Sequence, residues 1–159
     1  MIDSSNGHQW TRRTPIVMTS AGRLWFHRCA PQPYEQRVSV DGGVTVSGWN
    51  FETYMTTMQK SRFDTDDLAS CHLSMADLRQ PLSIRSVLAT DAVVLRGHRG
   101  MHTIVSLLKR RHIPYPLRWR WPLVTDERGV LWIPRLGFTN LPAEVKTDDL
   151  VQVVEWVGT

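Results

Sequence analysis

Apolar positions alternate with polar ones through most of this chain, and they fall three and four apart in one stretch only. "TPIVMTS" and "RLWFHR" alternate on either side of Ser20-Ala21-Gly22, which predicts a pair of strands. "QRVSV" and "VTVSGWNFETYM" flank Asp41-Gly42-Gly43, a local signal for a β-hairpin. Residues 57–70 are polar and read as a loop. "SMADL" fits one helical turn capped by Ser74, and "PLSIRS" and "AVVL" read as strands. In residues 101–111, Met101, Ile104, Val105 and Leu108 take the spacing i, i+3, i+4, i+7 of an amphipathic helix. Lys109, Arg110 and Arg111 fill its last turn, where cations suit the helix dipole, and Pro114 is expected to end it. "PLVTD" and "VLWIP" form a hairpin across Glu127-Arg128-Gly129, and "LVQVVEWV" is a final strand. The sum is an α+β fold, mostly antiparallel β with one main helix. A loose N-terminal segment, 1–14, precedes a single domain over 15–159.

The chain has 159 residues, enough for one domain that buries about 68–70% of its unfolded surface. No run of about 18 apolar residues is present to span a membrane, and no secretory apolar region follows Met1. Arg12, Arg13, Arg23 and Arg28 against Asp3 faintly resemble an organellar presequence, although the stretch alternates like a strand. Cys29 and Cys71 lie far apart and outside any CxxC, which fits buried thiols in an intracellular reducing compartment.

The distribution of charge says more than its net value of +4. Residues 92–125 hold Arg96, Arg99, Lys109, Arg110, Arg111, Arg118 and Arg120 and no Asp or Glu. A segregated positive field of this kind favours a polyanion, and arginine both forks onto phosphate and stacks on bases. Within it, "RRHIPYPLRWRWPLV" (110–124) combines four arginines, three prolines and two tryptophans. If Pro116 keeps this stretch extended and Pro122 starts the next strand, alternation puts Trp119 and Trp121 on one face and Arg118 and Arg120 on the other. The core takes the tryptophans in the bland reading; the arginine face joins the helix end in one basic ridge in the sharper one.

Catalytic and metal signatures are sparse. No GxxxxGK[ST], GxGxxG or GxSxG is present, and "DGGVTVSG" does not open a helix. Asp64, Asp66 and Asp67 lack the glycine and glutamate of a calcium loop. His98 and His102 lie four apart without a third ligand nearby, and Cys71-His72 is isolated. Asp77 and Asp91 are possible acids, more cheaply explained as caps or arginine partners. No metal or cofactor is expected.

From about Leu73 onward the chain resembles the C-terminal domain of bacterial tRNA(Ile)-lysidine synthetase (TilS), the PheT/TilS-type C-terminal fold. "IRSVLATDAVVLRGHRG" supplies Arg85, Ser86, Asp91, Gly97 and Gly100 of the family's pattern. "HIPYPLRWRWPLV" supplies Ile113, Pro114, Arg118, Trp121 and Pro122, and "GVLWIPRLG" supplies Leu131, Trp132 and Pro134, without a gap from Arg85 to Pro134. "VSVDGGVTVSGWNFE" is similar to the strand pair that precedes the module, so the resemblance extends over 15–157. Departures accompany it. The family's Pro-Gly is Ala89-Thr90 here, the second Arg of its R-S-R is Val87, and its helix-heading lysines fall on His102, Thr103 and Val105. The resemblance implies a grip on the tRNA acceptor stem, and these losses put that register in doubt. The family's ATP-pyrophosphatase loop, S-G-G-x-D-S, is absent from these residues, so the chain alone is not expected to make lysidine.

The expectation is therefore a non-catalytic RNA-binding module, with RNA contacts from Arg96, Arg99, His102, Lys109, Arg110, Arg111, Arg118 and Arg120. It would be a structural subunit of a ribonucleoprotein such as an organellar ribosome, or a split-synthetase half acting in trans on tRNA. Its partners would be rRNA or tRNA and neighbouring proteins, in a mitochondrial or other organellar matrix, or alternatively in the cytoplasm, with no membrane. A protein–protein adaptor is the alternative, because seven tryptophans are many for this length. A small enzyme would need a pocket with a perturbed titratable group.

Overall fold

The computed structural model describes residues 16–20, 23–27, 32–47, 49–56, 70–142 and 150–156. Thirteen strands and two short helices are found among them. β1 (Ile16–Ser20) and β2 (Arg23–His27) pair antiparallel with Ser20 opposite Arg23, the expected first hairpin. The other strands are β3 (Glu35–Arg37), β4 (Gly42–Val46), β5 (Trp49–Thr56), β6 (Ser70–Ser74), β7 (Ser83–Ser86), β8 (Ala92–Val93) and β9 (His102–Thr103). After the helices α1 (Ile104–Arg110) and α2 (Tyr115–Arg118) come β10 (Pro122–Asp126), β11 (Gly129–Ile133), β12 (Gly137–Phe138) and β13 (Leu150–Trp156).

The strands form a five-stranded sheet, β12-β11-β10-β7-β3, and a four-stranded sheet, β4-β5-β13-β6. β8 and β9 make a separate small hairpin. All named pairings are antiparallel, as expected for the α+β class.

Two apolar clusters explain why the central strands are buried on both faces. The first joins the two sheets: Phe51, Cys71, Leu73, Val151 and Val153 from one meet Ile84, Val124, Leu131 and Trp132 from the other. The second lies on the opposite face of the five-stranded sheet, where Leu123, Val130 and Ile133 meet Ile104, Leu107 and Leu108 of α1. Leu123 and Val124 belong to different clusters, in keeping with strand alternation. The molecule is layered as sheet, sheet and helix, and β10, buried at all five positions, lies in the middle layer.

Several local expectations are corrected. β3 pairs with β7, not with β4, so Asp41-Gly42-Gly43 is no hairpin turn: the chain crosses from one sheet to the other after β3, and Gly42 and Gly43 already belong to β4. The hairpin lies one strand later, where Val46 pairs with Trp49 and Ser47 takes a φ of 50°. α1 begins at Ile104 because residues 102–103 are strand and the Thr103 hydroxyl caps the Ser106 N–H at 3.3 Å. Met101 consequently leaves the apolar face and is 70% exposed. "SMADL" is a turn in which the Asp77 and Leu78 N–H groups both donate to the Ser74 carbonyl.

α1 is not ended by Pro114. His112, at φ 58°, donates its N–H to the Lys109 carbonyl at 2.9 Å, and Ile113 donates to Leu108 at 3.0 Å. These are the two bonds of a Schellman closure. Pro114 then caps α2 and Pro116 lies inside its first turn, so 115–120 is helix and turn where an extended strand was expected. The loop expected over 57–70 lies outside the described residues up to Ser70, which begins β6. The segment 1–14 and Cys29 also lie outside them.

Candidate nucleic-acid interface

α1 and the β8–β9 hairpin bring part of the basic stretch together. The hairpin returns through His102, whose Nδ1 lies 3.3 Å from the Arg110 guanidinium at the far end of α1. Lys109, Arg110 and Arg111 are all exposed in the last turn and cap of that helix. The buried face of α1 is Ile104, Leu107 and Leu108, which turns its polar side and its basic end to solvent. Arg99, in the hairpin loop, is also exposed. Among the described residues, the side chains of Arg99, Lys109 and Arg111 make no hydrogen bond or ion pair. Arg99, Lys109, Arg110 and Arg111 are thus exposed cations of this stretch, with His102 at the Arg110 contact, whereas Arg118 and Arg120, expected to join the helix end in one ridge, bond to backbone and side-chain groups of the fold.

The other three expected contacts are employed within the fold. The Arg96 guanidinium lies 5.0 Å above the Phe138 ring and donates to the Pro142 carbonyl. Arg118 donates through Nε to the Ile113 carbonyl at 2.7 Å and covers the Tyr115 ring at 5.7 Å. Burial, partly opposed by Tyr115, lowers its pKa from the usual arginine value. Arg120 reaches across to the β4–β5 turn, with Nε 2.9 Å from the Ser47 hydroxyl and Nη2 3.3 Å from the Ser47 carbonyl. Asp91 is held by Arg85, with two bonds of 2.8 Å.

Alternation does not set the tryptophans of 119–121, because that segment is not a strand. Trp121 is 3% exposed, packs edge-on to Trp49 at 4.9 Å and donates its indole N–H to the Pro134 carbonyl at 3.1 Å. Trp119 is half-buried against Tyr115, and its indole N–H is buried without an acceptor among the described residues. Trp132 lies in the cluster between the sheets. Trp119, Trp121 and Trp132 thus serve packing, and the side chains of Trp10, Trp25 and Trp156 lie outside the described ones.

The remaining candidate acids and ligands are also placed. Asp77 and the fully buried carboxylate of Asp126 share Arg128, at 3.1 and 2.7 Å. The Asp126 hydrogen bond leads the effects that raise the Arg128 pKa further. Among the described residues, no group of three or more His, Cys, Asp or Glu is arranged to hold a metal. No helix among them is long and apolar enough to cross a membrane. Cys71 is a buried free thiol, its pKa pushed up by burial. A shallow groove of about 280 Å³ runs over Gly43, Val44, Thr45, Asn50, Phe51 and Glu52. Glu52 is the one ionisable side chain in that lining, and it is exposed.

Residues 82–156 match the family model of the TilS substrate C-terminal domain. The tRNA(Ile)-lysidine synthase of Bacillus cereus is 30% identical over 105 residues, 65% of this chain and 22% of that protein. The Bacillus subtilis enzyme of the same name is 37% identical over 60 residues, 37% of this chain and 13% of that protein. The matched stretches thus span between 13% and 22% of these curated relatives. A crystal structure of the TilS C-terminal domain superposes with a TM-score of 0.70 at 20% identity, covering 78% of this chain and 96% of that one. At that identity the likeness shows the fold.

Proposed function

Starting from a chain that carries a TilS C-terminal domain, and so a domain related to tRNA(Ile)-lysidine synthase, we propose that it is a non-catalytic module that binds structured RNA through the ridge of Arg99, His102, Lys109, Arg110 and Arg111. One observation carries this reading: exposed cations stand on a loop and a helix end, linked by the contact of His102 with Arg110, within a stretch that holds no acid. Phosphate contacts of this kind fix position on an RNA without reading its sequence. Arg96, Arg118 and Arg120 hold the scaffold that presents the ridge.

The favoured setting is a structural subunit of a larger ribonucleoprotein, such as a ribosome, in an organellar matrix. A permanent subunit can lose the family's helix-heading lysines and rebuild its contacts from arginines elsewhere. The second setting is a split-synthetase half that acts in trans on tRNA, with a cytoplasmic location equally open to it. A buried, reduced Cys71 fits a reducing compartment in either setting.

Sedimentation of the native protein from its own cells, with and without ribonuclease, tests the reading. Fast sedimentation that collapses on RNA digestion is expected. Slow sedimentation indifferent to ribonuclease would contradict the ribonucleoprotein setting. Recovery of a partner chain with an ATP-pyrophosphatase loop would favour the synthetase half.

A further inference from the structure

We propose that Met101 is a stacking contact, which seats its thioether on an uncovered nucleobase face at the end of an RNA helix while the ridge holds the flanking phosphates. The inference rests on the RNA reading above and narrows it to one feature of the RNA. Met101 is 70% exposed, against 41–43% for Met55, Leu88 and Leu141, the other exposed large apolar side chains among the described residues. A single exposed apolar side chain is common on a protein surface; what sets Met101 apart is its place, on a braced loop beside Arg99, His102 and Arg110.

The loop that carries it is braced. On one arm Leu95 bridges to Thr139, the Arg96 N–H donates to the Phe138 carbonyl at 2.9 Å, and the Asn140 N–H donates to Val94 at 3.0 Å. The Arg96 side chain adds its contacts with Phe138 and Pro142. On the other arm His102 pairs with Val93. Between the arms, Gly97 and Gly100 take φ values of +78° and +86°, a region glycine enters without strain. A Cβ on either would meet nothing within 4 Å, so backbone conformation, not crowding, calls for glycine there. The loop's shape therefore holds Met101 out from the protein.

Its surroundings select the occupant. Met101 directly precedes His102, which touches Arg110, and Arg99 lies two residues before it. A partner must offer an apolar flat face ringed by negative charge. The interior of an RNA duplex presents phosphates and grooves but no base face; helix ends and unstacked nucleotides present both. Methionine is a polarizable side chain that packs on such faces, and nucleic-acid-binding proteins use it as a wedge at base steps.

The test uses the full chain and one fluorescently labelled RNA duplex in two forms. In one the terminal pairs are open; in the other a covalent stilbene linker is stacked on each end. Wild-type protein is expected to bind the open form about fivefold more tightly or better. Met101→Ala should lose that preference while it binds the capped form as wild type does, with an unchanged salt slope. Met101→Leu should restore part of the preference. Equal wild-type affinity for the two forms, or a preference retained by Met101→Ala, would overturn the stacking contact and leave the ridge intact. Failure to bind either form at low salt would overturn the RNA reading, and this inference with it.

Discussion

Arg85 and Asp91 form a two-pronged ion pair, with both carboxylate oxygens 2.8 Å from the guanidinium and side-chain exposures of only 17% and 11%. The same carboxylate accepts the Leu88 N–H at 2.7 Å, and the Asp91 carbonyl accepts the Ile104 N–H at the start of α1. One aspartate thus fixes the turn from β7 into the hairpin that carries the ridge.

Asp91→Ala is expected to cost about 2–3 kcal/mol, because it leaves a largely buried guanidinium without its partner. Urea denaturation of Arg85→Ala, Asp91→Ala and the double variant measures this. The double variant should cost less than the sum of the two single changes; simple additivity would show that the pair is not coupled.

Trp121 has two roles that two substitutions separate. Trp121→Phe keeps an aromatic ring and loses the bond to Pro134, a cost of about 1–2 kcal/mol. Trp121→Ala also opens a cavity beside Trp49 and should cost about 3–5 kcal/mol. Equal costs would mean that packing contributes nothing beyond the hydrogen bond.

His112 holds a left-handed conformation at the end of α1 that glycine adopts freely. His112→Gly should therefore stabilise the protein by about 1 kcal/mol. Thermal unfolding should show a rise of about 2–4 °C. A fall in Tm would mean that the imidazole makes a stabilising contact.

Burial lowers the pKa of His72, with a hydrogen bond to Gln152 opposing it. The folded protein therefore favours the neutral ring, and the unfolded chain binds the proton more readily. This contribution to stability is full above the unfolded histidine pKa of about 6.5 and is lost as pH falls toward the folded value. Denaturation midpoints should fall between pH 7.5 and 5.5 in wild type and fall less in His72→Gln. An equal fall in both would assign the effect to other groups.

Some elements of the fold were legible because their signals are local. The β10–β11 hairpin and the first hairpin have their turn residues between two alternating runs. α1 is readable from the spacing of Ile104, Val105 and Leu108. Its boundaries were not readable, because the pairing of His102 with Val93 claims residues that periodicity assigns to the helix. Asp41-Gly42-Gly43 misled for a similar reason. β3 finds its partner in β7, about fifty residues on, and no local pattern records a pairing at that distance. In 114–121 two prolines suggested extension, but proline suits the first turn of a helix equally well. The concentration of basic residues in 92–125 was legible as charge, whereas the arginines that bond within the fold depended on carbonyls such as those of Ile113, Ser47 and Pro142.

The salt dependence of binding to a structured RNA, compared between wild type and the double charge reversal Arg110→Glu with Arg111→Glu, tests the ridge most directly. Both side chains are exposed, so the fold should survive the change. The account predicts weaker binding and a plot of log affinity against log salt flatter by about two contacts or more. Unchanged affinity and slope in a folded double variant would contradict it.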